Sequence, residues 1–175
     1  MTICLVGSEM CIRDRHWCHT IIFRRTIMAN HIRQQIRERV GTVLTGLTTN
    51  GSNVYQSRVY PLQETNLPAL LIYTKEETSE PLVIHTDRLL ERNLSLVVEA
   101  FVKANSNFDD TVDTISKEVE EAIAADTTIN GLAKDAFLES TDIDFNSEAE
   151  NPVGFASLTF LIKYYVQETN PDIAV

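Results

Sequence analysis

From Ala156 to Val166 the apolar side chains Ala156, Leu158, Phe160, Ile162, Tyr164 and Val166 fall at every second position, with Ser157, Thr159 and Lys163 between them. A period of two is that of a pleated strand, so one face of this segment must be buried. The stretch Leu94–Val102 repeats the pattern, with Leu94, Leu96, Val98, Ala100 and Val102 to one side and Ser95, Glu99 and Lys103 to the other. Such strands need a second layer over their apolar side, and the rest of the chain has to supply it.

Two helical stripes meet that need. Behind Asn30, a candidate N-cap, Ile32, Ile36, Val40, Val43, Leu44 and Leu47 recur at helical spacing, with Arg33, Arg37 and Arg39 mostly off the stripe. Gly46 and Asn50-Gly51 punctuate the end of this helix. A second stripe is made by Phe108, Val112, Ile115, Val119, Ala122 and Ile123. Asp109, Asp110 and Asp113 crowd its first turn, where carboxylates suit the helix dipole, and Lys117, Glu120 and Glu121 extend a solvated face.

Further strands are expected at Val54–Tyr60, stopped by Pro61, at the apolar run Pro68–Tyr73, and at Phe137–Phe145, before a polar turn around Asn146–Pro152. Residues 74–92 carry charge, Pro81 and little periodicity, and so suit either a long loop or an extended hairpin arm. The tail after Gln167 is expected to fray. The order α-β-β-arm-β-α-β-β implies an α+β fold, a mixed or antiparallel sheet of about four to five strands with two helices packed on one face.

Residues 1–27 differ in composition from the rest of the chain. All three cysteines (Cys4, Cys11, Cys18) and the only tryptophan, Trp17, fall there, and Met28 then opens an ordinary sequence. The run from Leu5 to Arg15 resembles the translation of a transposase adapter used in library preparation. The expectation is a non-native leader at 1–27, preferred over a targeting peptide, and a single domain at 28–175. The leader holds four of the 15 basic and two of the 25 acidic residues, so the body has 11 and 23, a formal charge of −12 against −10 for the whole chain. That balance opposes direct binding to nucleic acid. No segment approaches the roughly 18 apolar residues of a membrane span, so no membrane partner is expected. The body has no cysteine and can form no disulfide.

No motif of catalysis or ligand binding stands out. The body's glycines (Gly41, Gly46, Gly51, Gly131, Gly154) form no phosphate-cradling cluster, and its histidines, His31 and His85, stand apart and read as surface residues. Asp142, Asp144, Asn146, Glu148 and Glu150 alternate as calcium ligands do. Ser147, however, takes the place of the loop glycine and Val153 that of the bidentate glutamate, so the run reads as an acidic strand edge. No serine sits in a nucleophile elbow. The chain is therefore expected to be no enzyme, with no catalytic residue, no metal and no cofactor.

Laid end to end, the blocks resemble the minor tail protein U, or tail terminator, family of long-tailed bacteriophages. They are an amphipathic helix before a strand, Leu67-Pro68-Ala69-Leu70-Leu71-Ile72-Tyr73, the block from Leu94 to Phe101, a second helix with Leu132 beyond its end, and Ala156–Phe160 with Tyr164. The resemblance implies a structural virion protein assembled in the host cytoplasm. It would form a homo-oligomeric, hexameric ring that ends the tail tube, touching the tail tube protein below and a head-completion or neck protein above.

A head–tail connector or other neck protein is the alternative, and a small enzyme or ligand-binding module with no visible motif is a further one. In a ring each subunit needs two different complementary patches. Residues 74–92 are the candidate for one, through Lys75, Glu76, Glu77, Leu82, Val83, Ile84, Arg88, Glu91 and Arg92. A disordered loop is the competing reading of the same segment.

Overall fold

The structure, a computed structural model, describes residues 30–57, 59, 63–84, 86–103, 107–146 and 153–175. The expected leader, His85 and most of the polar turn after Asn146 lie outside the described residues. The centre is a pair of antiparallel strands, β3 at Leu89–Lys103 and β5 at Val153–Gln167, each of 15 residues. Their register is unbroken from Leu89 opposite Gln167 to Lys103 opposite Val153. These are the two segments with the strongest alternation.

The other strands flank this pair. Ala69–Pro81 (β2) runs antiparallel beside β3, and Val54–Tyr55 (β1) runs parallel beside β2. On the far side Asp135–Asn146 (β4) pairs with β5, and Asn170–Ala174 (β6) pairs with the end of β5. The sheet is thus six-stranded and mixed, in the order β1-β2-β3-β5-β4 with β6 also on β5. Of the six, only β6 lies outside the strands expected from sequence.

One face of the sheet is covered. Leu70 and Ile72 of β2, Leu94, Leu96, Val98, Ala100 and Val102 of β3, and the even-numbered residues of β5 from Ala156 to Val166 form a continuous core. Against them pack the helices Ile32–Leu44 (α1) and Phe108–Ala124 (α2), through Ile32, Ile36, Val40 and Leu44 and through Phe108, Val112, Ile115, Val119 and Ile123. Gly154 sits under Phe108, and a methyl group added there would overlap the phenyl ring. On the opposite face, where Ala69, Leu71 and Val97 are also buried, Phe101 and Phe155 stack at 5.5 Å, and the Tyr73 hydroxyl donates to Glu99 at 2.6 Å.

Three expectations are corrected. Strand β1 ends at Tyr55, and Gln56, Ser57 and Val59 pair with nothing in the sheet. The N-cap of α1 is His31, not Asn30, and its ring accepts from the Arg33 amide. The tail does not fray: after a turn at Glu168-Thr169 it returns as β6, and Gln35 of α1 donates to the Asp172 carbonyl at 2.9 Å. That local pairing was invisible because β6 has no alternating apolar pattern.

Past α2 the chain turns through Ile129, Asn130 and Gly131, all at positive φ. A buried, β-branched residue such as Ile129 adopts that backbone only when its surroundings enforce it. Asp126 does so, accepting from the Thr128 hydroxyl and the Asn130 amide, each at 2.7 Å; the same bonds lower the Asp126 pKa.

Candidate functional site

Residues 74–84 and 86–92 belong to a hairpin arm, not a loop. Pairing between β2 and β3 continues through Glu77 opposite Leu94 and Ser79 opposite Arg92 to Pro81 opposite Leu90, closed by the Leu82 amide on the Leu89 carbonyl at 2.9 Å. Thr74, Thr78 and the extended partner strand supply the β preference that the charges obscured.

A bulge between Thr74 and Glu76 decides which side chains go where. Without it Glu76 would stand opposite Leu94 on the helix side; with one extra residue Glu77 takes that place and Glu76 is turned to the other face. Glu77 there lies near the N-terminus of α1. Its carboxylate accepts from Arg92 at 2.9 Å and from the Tyr164 hydroxyl at 2.7 Å on one oxygen, and from Arg33 at 3.0 Å on the other.

The Glu77 and Arg92 side chains are only 10% and 16% exposed, whereas Arg33 is 48% exposed. The first pair therefore carries most of the electrostatic weight, and the Arg33 contact is largely screened. Burial, reinforced by the adjacent carboxylate, raises the Tyr164 pKa well above its ordinary value, so the hydroxyl stays a donor. Burial alone would weaken the Arg92 charge, but its bonds to Tyr164 and Glu77 outweigh that and raise its pKa.

His31 completes the cluster. Its Nδ1 accepts from the Arg33 amide at 3.2 Å and its Nε2 lies 3.3 Å from Arg92. A neutral imidazole has one acceptor nitrogen, so these two donors compete for it. Burial first, and the Arg33 charge second, lower the His31 pKa from 6.5, with Glu77 acting the other way.

The proposed interface residues thus divide. Glu77 and Arg92 are engaged within the subunit, fixing the arm to the body. Lys75 and Glu76 are exposed at the bulge, and Glu91 lies half-buried opposite Glu80. Arg88 is exposed, with a long 3.8 Å contact to Glu168. Leu82, Val83 and Ile84 form the tip, with exposures of 50%, 49% and 94%.

Sequence reading missed Tyr164, Arg33 and His31 as partners of the arm. The available signal was Tyr164 itself: a tyrosine on the buried side of a strand needs a partner for its hydroxyl. Among the described residues no group of three or more His, Cys, Asp or Glu is placed to hold a metal ion.

None of the curated proteins compared matches the chain. Among solved structures, a chain from "Virion of native gene transfer agent (GTA) particle" is similar with a TM-score of 0.39 and 15% identity, over 78% of this chain and 92% of that one. The model of the family described as phage minor tail protein U matches residues 31–164, a span that takes in both helices, the arm and almost all of the central strand pair. The chain therefore belongs to the phage minor tail protein U family.

Proposed function

We propose that this member of a phage tail protein family is a tail terminator, a domain at residues 28–175 whose copies close into a ring on the end of the tail tube. The ring stops tube growth and offers its other surface to a head-completion or neck protein. This role needs neither a cofactor nor a catalytic step. The observation that carries the reading is the arm: a hairpin tied down at its base by Glu77, Arg92 and Tyr164, ending in three exposed apolar residues. Exposed apolar groups at the end of an anchored hairpin favour a protein contact over solvent.

Replacing Leu82, Val83 and Ile84 together with serine should abolish oligomers while leaving the melting temperature of the subunit within about a degree or two, since these side chains contribute little to the core. Size-exclusion chromatography and calorimetry on the same samples read both quantities. The terminator role is tested by adding the protein to polymerising tail tube protein and measuring tube lengths by electron microscopy. Shortened tubes with a ring at one end are expected; an unchanged length distribution with bare ends would remove the proposal.

A further inference from the structure

A groove of about 330 Å³ lies between the C-terminal end of α2 and β4, lined by Ile123, Ala124, Ala136, Leu138 and Phe160. The exposed carboxylates of Glu120 and Asp135 also border it. It falls within the size range of sites that seat a small apolar group with a few polar neighbours. The arm carries a matching feature: Leu82, Val83 and Ile84 at the tip, followed by the exposed cation Arg88. Knob and groove lie on opposite sides of β5, the arm on β2 and β3 and the groove on β4.

We infer that the groove receives the arm tip of a second copy of this chain, with Leu82, Val83 and Ile84 entering it and Arg88 meeting Glu120 or Asp135 at its border. A patch that fits a pocket elsewhere on the same molecule makes a heterologous contact, which repeats from subunit to subunit and closes when the rotation allows. Opposite placement gives each subunit one donor and one acceptor side. Arg88 is opposite in charge to Glu120 and Asp135, and the apolar residues on both sides would be removed from water together. This inference rests on the ring reading and names the residues of its repeating contact.

The test uses the full chain and sedimentation velocity. Ile84→Asp disables the knob; Ala124→Arg obstructs the groove from an exposed helical position, and Thr127→Arg does so from the exposed turn beyond it, so that neither result depends on one variant's folding. Each variant alone should lose the ring that the unaltered chain forms. An equimolar mixture of Ile84→Asp with Ala124→Arg or Thr127→Arg should give heterodimers and nothing larger, because each mixed pair retains one intact contact.

Rings of unaltered size from both groove variants would overturn the groove contact and leave the ring reading standing. Loss of rings with no heterodimer in either mixture would overturn the knob-and-groove pairing. Monomers alone, from the unaltered chain and the mixtures alike, with tail tubes present as well as absent, would overturn both.

Discussion

Single residues at the base of the arm set its direction. Glu77 neutralises Arg92 and satisfies Tyr164, so Glu77→Gln leaves a largely buried guanidinium without its counter-charge and should destabilise the fold by about 2–3 kcal/mol in chemical denaturation. Tyr164→Phe removes only one hydroxyl from the cluster and should cost about 1 kcal/mol. His31 gives the cluster a pH dependence of known sign. Its pKa is lowered on folding, so the unfolded chain binds the extra proton first; the stability it contributes is complete above 6.5 and declines as pH falls toward the folded value. Denaturation midpoints between about pH 5.5 and 7.5 should therefore rise with pH, and His31→Asn, which keeps a capping oxygen, should flatten that slope. None of these roles was legible from composition. Glu77 and Glu76 are neighbours in sequence, and only the bulge tells which of them faces the helix.

At the level of elements, the strands with strict alternation and the helices with a clear stripe were legible because their patterns report burial directly. What was not legible depended on pairing. The arm's strands run through charged residues, β1 is only two residues long, and β6 exists because a turn brings it back onto β5. Ending the chain at Gln167 should therefore lower stability, by removing β6 and the Gln35 contact on α1, where a frayed tail would have cost nothing. Gly154 makes a sharper test of how α2 sits on the sheet. Gly154→Ala drives a methyl into Phe108 and should cost about 1–3 kcal/mol. Combining it with Phe108→Leu should cost less than the sum of the two single changes, a coupling that a double-mutant cycle measures. Additive losses would mean that ring and glycine do not constrain each other.

For the whole molecule, the proposed role brings copies of an α+β sheet, with both helices on one face and an anchored arm, into repeated contact. Each subunit nevertheless brings a formal charge of −10, so long-range repulsion opposes assembly while an apolar contact would favour it. Added salt or magnesium screens the first and leaves the second, and the oligomeric fraction should increase with ionic strength. The family was legible as a resemblance carried by the apolar blocks, and the arm was named from sequence as a candidate contact, whereas the groove was not, because it exists only where the fold brings the end of α2 against β4. The most direct measurement is native mass spectrometry of the full chain over a range of concentrations, with and without magnesium. A closed species of hexamer mass that grows with magnesium is the predicted result; a species of subunit mass alone under every condition, with tail tubes present as well as absent, would contradict it.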